Sequence, residues 1–404
     1  MPRLRTRGAR RSSPAATTPA EGFPLTALLV MAVTGFLLIA TETMPAGLLP
    51  EIAAGMGVSE GLAGQYVSSY ALGTVVCAVP AAALTRGVGR RKVLLVTVGV
   101  FLLANSVVAV SSDLVLTLVM RFVCGACSGL LWGMLAGYAR RISSPASAGR
   151  ALSIASLGTP VGLAVGTPFG SWLGASFGWR WSFLLASALA LVIVVVGRFV
   201  LPDAPGGRPE AQLPLRRVLR IPGVAPILVV IPLWMLAHNT MYTYVSAYLR
   251  AVSVPLPVDR VLVLFGVCAL VGLLVTGALI DRSLRSLVLG SLVTFLLAGG
   301  VFLVAGGSRA AVLAAVVAWG LAFGGAAAQL QTAMAHAAGE NADVANSFIG
   351  VAFNLAIAGA GVFGAVLIGG GSAGSTLPLL MVVLAGAALL VVALARRHAF
   401  PARG

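Results

Sequence analysis

The chain is 404 residues long, 59% hydrophobic and 9% charged, with a mean hydropathy of +1.02. A soluble domain carries roughly 25% charged residues, so a soluble globule is excluded, as are collagen, coiled coil and disorder; the 4 cysteines, all in apolar stretches, exclude a secreted disulfide scaffold. The net charge of +16 sits between apolar runs, which points to orientation in a membrane and away from nucleic acid.

Residues 1–22 are rich in Arg, Ser, Pro and Ala and lack apolar periodicity, which predicts a disordered cytoplasmic tail. Apolar runs long enough to cross a bilayer follow near 25–43, 62–84, 93–111, 114–137, 150–174 and 181–200. A polar stretch, 201–223, reads as a cytoplasmic linker. Further runs lie near 225–247, 261–280, 286–305, 310–333, 346–369 and 376–395, before a short tail, 396–404. These runs are continuously apolar, whereas barrel strands alternate over about ten residues. The expected fold is therefore an all-α integral membrane protein of twelve helices in two six-helix halves, 23–200 and 224–395.

Of the 27 basic residues, 22 fall on one side of such a fold, 4 on the other and Arg121 inside a span. That bias predicts both termini in the cytoplasm. Lys92 is the sole lysine, and the Arg, Ala and Gly usage suggests a GC-rich bacterial genome, hence a bacterial inner membrane. The 333–346 loop counts as cytoplasmic yet carries no Arg or Lys. Two six-helix halves with a site between them is a secondary-transporter plan. No P-loop is present, so ATP hydrolysis by that route is excluded.

Several segments carry chemistry. Span 1 ends in Thr41-Glu42-Thr43-Met44-Pro45, and Glu42 is the one acidic residue placed within a span. A carboxylate withdrawn from water favours its neutral form, which suits a proton carrier; the competing reading is a Glu at the interface. Span 4 holds Arg121, Gly125 and Gly129, with Trp132 beyond. An Arg inside a span costs at least ~2.5 kcal/mol, so it faces a cavity or a partner unless it snorkels to the interface. Cys124 and Cys127 read as small packing residues, since no second pair completes a metal site.

Span 5 repeats glycine every four residues, at 158, 162, 166, 170 and 174, with Pro160 and Pro168. Such a stripe lets helix backbones touch. Gly178-Trp179-Arg180-Trp181 reads as an interfacial aromatic anchor. Span 7 offers His238, Asn239, Tyr242 and Tyr244. His238 titrates near neutrality if it meets water, although a satisfied core histidine is the ordinary case. Gln329 and Gln331 in span 10 and Asn354 in span 11 are further cavity candidates.

The loop after span 8 reads Gly277-Ala-Leu-Ile-Asp281-Arg282-Ser-Leu-Arg285, and its first-half counterpart runs from Ala82 through Arg86, Gly89 and Arg90 to Lys92. The first of these resembles the cytoplasmic signature of the major facilitator superfamily. In it the Gly would pack closely on a neighbour, and the Asp would cap a helix or pair with an Arg. The first-half copy departs by placing Arg86 where Asp is expected. The span-5 stripe resembles the glycine-proline signature of the twelve-span drug:proton antiporters, with Thr167 as one additional residue before Pro168. The 41–50 segment and the start of span 7 resemble the drug, sugar and metabolite efflux branch.

The resemblance implies a monomeric exporter working by alternating access, with no cofactor beyond the proton gradient. Its partners would be a small molecule, protons and the lipid bilayer, and no nucleic acid. Glu42, Arg121 and His238 would couple protons. Trp132, Asn239, Tyr242, Tyr244, Gln329, Gln331 and Asn354 would line the cavity. Gly89, Arg90, Gly277, Asp281, Arg282, Arg285, Gly158, Gly162, Gly166, Pro168 and Gly170 would serve gating and packing. A sugar or metabolite exporter, or a uniporter, would share the fold. A membrane enzyme would need a convergent catalytic cluster, and His238, His336 and His398 lie far apart in sequence.

Overall fold

A computed structural model describes residues 23–144, 147–206, 217, 219–339, 342–370, 373–397 and 399–400. The expected tail 1–22, residues 207–216 and 218 of the 201–223 linker, and the last four residues lie outside the described residues. The described chain is helical. In order, the helices are α1 Leu25–Thr43, a 3-10 turn Met44–Leu48, α2 Leu49–Met56, α3 Glu60–Ala63, α4 Gln65–Leu84, α5 Arg90–Val110 and α6 Leu114–Arg141. Then come α7 Ala148–Ser156, α8 Gly158–Val161, a π turn Gly162–Gly166, α9 Thr167–Phe177 and α10 Trp179–Val200. The second group is α11 Val224–Thr243, α12 Val245–Ala251, α13 Val258–Ala305, α14 Arg309–Gly324, α15 Ala326–Ala338, α16 Ala342–Gly369 and α17 Ala373–Leu394.

Among the described residues, 10 helical stretches are long and apolar enough to cross a membrane. One of them, α13, runs for 48 residues. At about 1.5 Å per residue it would be some 70 Å long, over twice the roughly 30 Å hydrocarbon core. It is not straight: Ser283, with φ −154° and ψ 50°, breaks it between Arg282 and Leu284. The break falls in the predicted loop between spans 8 and 9, so each side has the length of one crossing. α4, at 20 residues, has the length of one further crossing.

Two apolar cores organise the bundle. One lies wholly within residues 27–204, around Met31, Leu94, Phe101, Leu131 and Tyr138. The other fills the second group of helices and reaches across to Leu48, Ile52, Tyr66 and Phe183 of the first. Large apolar side chains such as Phe199, Leu84, Val304 and Val366 point outward, as lipid-facing residues should. Without a hydrophobic drive between helices in lipid, close backbone approach has to supply contact. A Cβ on Gly125 would sit 1.8 Å from the Tyr70 carbonyl oxygen, and one on Gly73 would sit 2.0 Å from that of Phe122, so α4 and α6 touch backbone to backbone. Gly125→Ala should therefore force the two helices apart and lower stability by about 1–3 kcal/mol, read as a lower melting temperature in detergent; an unchanged melting temperature would mean the contact is slack.

Each helix group is closed by the chain that follows its last helix. After α10, Leu201 and Ala204 are 1% and 3% exposed, so the first residues of the predicted linker pack onto the first bundle instead of lying free. The Tyr138 hydroxyl donates to the Pro202 carbonyl at 2.6 Å, Arg141 to that of Pro205 at 2.6 Å, and the Arg90 amide to that of Ala204 at 2.8 Å. After α17, Phe400 is fully buried, and Arg285 donates to the carbonyls of Phe400 at 2.7 Å, Val392 at 3.1 Å and Ala393 at 3.2 Å. Arg90 and Arg285 occupy matching places in the two loop motifs, the first meeting the following chain through its backbone amide and the second through its guanidinium.

The two groups meet at the end of the bundle opposite these arginines, the closed end. There the Ser68 hydroxyl donates to the Ala358 carbonyl at 2.8 Å, and the Gln65 amide to that of Gly361 at 3.2 Å. Glu60 and Arg250 form an ion pair across the seam. Gly61 approaches Ala365, Gly64 approaches Tyr244, and Gly266 approaches the backbone of Leu163 and Ala164. Toward the basic end, by contrast, Gly133, Gly137, Gly277 and Gly350 face open space.

Candidate functional site

Arg121 lies eight residues into α6 and is fully buried. It does not snorkel. Its Nε donates to the Tyr66 carbonyl at 3.0 Å and one terminal nitrogen to the Thr41 carbonyl at 3.1 Å, so the guanidinium ties α6 to α4 and α1. It also stands over the Tyr70 ring at 4.6 Å and the Phe183 ring at 5.7 Å. Its remaining terminal nitrogen has no hydrogen-bond partner among the described residues.

Glu42, the residue after Thr41, is 7% exposed and within electrostatic reach of Arg121 and Tyr70. No ion pair or hydrogen bond of the described residues joins it to Arg121. The first bundle therefore holds a carboxyl and a guanidinium close together, out of water, each without its natural counter-ion. α1 puts them there. Its continuously apolar sequence keeps the helix in the membrane up to Thr43, and Pro45 then turns it into the 3-10 segment.

His238 sits in the other bundle. Its ring lies flat on Phe323, with centroids 3.4 Å apart, and is flanked by Tyr242, Phe265 and Trp319. Trp319 donates its indole N–H to His238 Nδ1 at 3.0 Å, so Nδ1 carries no proton and Nε2–H belongs to the neutral ring. His238 thus has its own box of aromatics and is not brought together with Glu42 and Arg121.

The expected cavity residues divide. Trp132 and Asn239 are half-buried; the Trp132 ring reaches toward Gly35 of α1, and the Asn239 amide bonds back to Met235 of its own helix. Asn354 likewise bonds to Gly350, and Gln331 is exposed. Gln329 and Tyr244 depart from the expectation. Gln329 is fully buried, donating to Thr276 at 3.1 Å and Ser291 at 3.0 Å, so it ties helices within its own bundle. The Tyr244 hydroxyl donates to the Gly361 carbonyl at 2.6 Å and serves the closed seam. Sequence reasoning missed this seam because its donors are single hydroxyls and amides bonded to carbonyls, with no motif to mark them.

The gating residues also divide. Gly277 was expected to pack closely, yet nothing lies within 4 Å of where its Cβ would be. Asp281 and Arg282 are exposed beside the Ser283 break, while Arg285 makes the carbonyl contacts given above. In the first copy, a Cβ on Gly89 would meet the Asp203 carboxylate at 2.8 Å. An acid from the segment after α10 therefore lies beside the first-half loop, at Gly89 and not at the Arg86 position. The glycines at 158, 162 and 166 face α1, meeting Ala32, Ile39 and Ala40, and those at 170 and 174 face the 3-10 turn after it, meeting Met44 and Leu48. Pro168 is buried at the start of α9.

Comparison with known proteins bears on this arrangement. The model of the Major Facilitator Superfamily matches residues 31–361. The chain belongs to the Major Facilitator Superfamily. This transporter is 31% identical over 375 residues to the inner membrane transport protein YdhP of Escherichia coli strain K12, covering 92% of this chain and 96% of that one. It is 28% identical over 354 residues to a chloramphenicol efflux pump of Mycobacterium tuberculosis strain H37Rv, covering 85% and 86%. It is 24% identical over 339 residues to a probable sugar efflux transporter of Mannheimia succiniciproducens, covering 83% and 85%. Among solved structures it resembles a bacterial homologue of the human lysosomal transporter Spinster in an inward-facing, unoccupied conformation, with TM-score 0.64 and 14% identity over 95% of this chain and 97% of that one. That likeness is one of fold. The loop signature, the stripe and the buried Arg121 therefore belong to a transporter of this superfamily.

Proposed function

We propose that the protein exports a small neutral, lipophilic or cationic molecule in exchange for protons. Two six-helix halves would rock about a central site in a bacterial inner membrane. Reading α13 as two crossings and counting α4 would give twelve spans, and the arginine bias supports both termini on the cytoplasmic side. The observation that carries the reading is the pair Glu42 and Arg121, buried in one bundle without an ion pair between them. Buried ionisable groups in a membrane bundle mark proton or ion pathways. The names of the chloramphenicol and sugar efflux relatives support export, and that of YdhP supports transport at a bacterial inner membrane. The small number of fixed charges near the seam disfavours a polyanionic cargo.

A sugar or metabolite exporter on the same frame is the second reading, favoured by the sugar efflux relative. A uniporter would have no use for Glu42. The test is proton release from purified, detergent-solubilised protein on adding chloramphenicol, cationic dyes or sugars one at a time. Release on one compound, lost in Glu42→Gln, supports antiport and identifies a ligand. Binding without release removes the proton role.

A further inference from the structure

The seam at the closed end is laid out as two facing stripes. On α3 and α4, Glu60, Gly61, Gly64, Gln65 and Ser68 share one face, since positions four apart stack on a helix. Gly64, between the two helices, keeps right-handed helical angles, so the face runs on from one to the other. The partners on α16 are met in reverse order. Gly61 approaches Ala365, Gln65 donates to the Gly361 carbonyl, and Ser68 donates to that of Ala358. The stripes therefore run antiparallel. Glu60 stands at the head of its stripe and pairs with Arg250, in the last turn of α12.

The seam is easy to undo. The Gln65 amide also donates to the Gly61 carbonyl at 3.1 Å, so it keeps a partner when α16 withdraws. The Gly361 carbonyl keeps the Tyr244 hydroxyl, which belongs to its own helix group. The ion pair differs from these bonds in its charge. Arg250 is 52% exposed and Glu60 22%, so water reaches both and rehydrates each on separation. An exposed pair contributes modestly and is screened by salt. One guanidinium nitrogen, Nη2, contacts both carboxylate oxygens, where a paired fork would use two. A point charge can make that contact equally well.

We propose that Glu60 and Arg250 form the electrostatic latch of the closed end, and that the ionic strength of the medium bathing it sets how often the seam opens. The inference rests on the alternating-access reading above. Both are positioning residues that act by holding the halves together. With the basic end in the cytoplasm, the latch faces the external medium.

The test uses detergent-purified full-length protein with Cys77→Ser, which removes the half-buried thiol, and one reporter cysteine at a time. Ala365→Cys reports beside the pair, and Ala358→Cys reports two turns further along the seam. The readout is the rate of labelling by uncharged N-ethylmaleimide. Opening of the whole seam raises both rates by one factor, whereas loss of local cover raises only the rate of Ala365→Cys. Glu60→Gln and Arg250→Gln should each raise both rates about 1.5- to fivefold, the shift expected of one exposed pair. The double variant should add nothing further, and Arg250→Lys should keep the parent rate. Raising the salt from about 20 mM to about 1 M should speed labelling of the parent and leave the double variant unchanged. Five results would each overturn the latch: parent rates in both single variants, additive effects in the double, a rise confined to Ala365→Cys, a salt response that survives in the double, or an Arg250→Lys rate equal to that of Arg250→Gln. Should Arg250→Gln fail to fold, Glu60→Gln and its salt response decide. No labelling of Ala358→Cys in any variant overturns the opening of the seam, and the latch with it. These rates need neither cargo nor proton coupling, so a failed antiport assay and a failed latch are separate results.

Discussion

Glu42→Gln is expected to abolish concentrative export while leaving downhill exchange intact. A proton moving inward along 100 mV contributes about 2.3 kcal/mol, which sustains roughly a fiftyfold gradient of a neutral solute. In proteoliposomes with an imposed potential, the wild type should approach that gradient for its cargo, and the variant should stop at equal concentrations. The carboxyl is buried, so replacing it with an amide of the same shape leaves the packing of α1 in place. Loss of pumping with unchanged counterflow would assign Glu42 to coupling and not to binding. A variant that still concentrates its cargo would remove Glu42 from the mechanism.

The second large effect belongs to Arg121. A fully buried guanidinium with one unpartnered nitrogen is a poor way to stabilise a bundle. An apolar residue of similar volume in its place removes the cost of burying that charge. Arg121→Met should therefore keep or raise the melting temperature in detergent while reducing export at least about tenfold. Arg121→Lys should fail as well, because a point ammonium cannot reach the Tyr66 and Thr41 carbonyls together as the planar fork does. A sharp fall in melting temperature for Arg121→Met would instead make the residue a structural tie among α1, α4 and α6.

Much of the frame was legible in the sequence. Continuous apolar runs mark membrane helices directly, and the predicted run 25–43 coincides with α1, while the runs starting at 114 and ending at 200, 305 and 369 share those limits with the helices. Basic loops between runs located the turn at Ser283 inside a helix that geometry alone would draw as one. The facing of side chains was far less legible. A lipid-facing surface is as apolar as a core, so these helices carry no polar stripe to say which side turns inward. Gln329 and Tyr244 went to intra-bundle and seam contacts for that reason, and Gly277 proved to need no room at all. Thr167 interrupts the glycine-proline pattern in sequence, yet the π turn restores the register in space, an adjustment with no compositional mark. The segment after Leu201 looked like linker because it is polar and proline-rich; its buried side chains and Asp203 show where the first bundle ends.

The paired closures of Tyr138 and Arg141 on 202–205, and of Arg285 on Phe400, give each bundle its own finished edge. Both edges are complete within the described residues on either side of Gly206 and Arg217. A gene cut between these residues should yield two polypeptides that insert separately and find each other in the bilayer, drawn together by the seam alone.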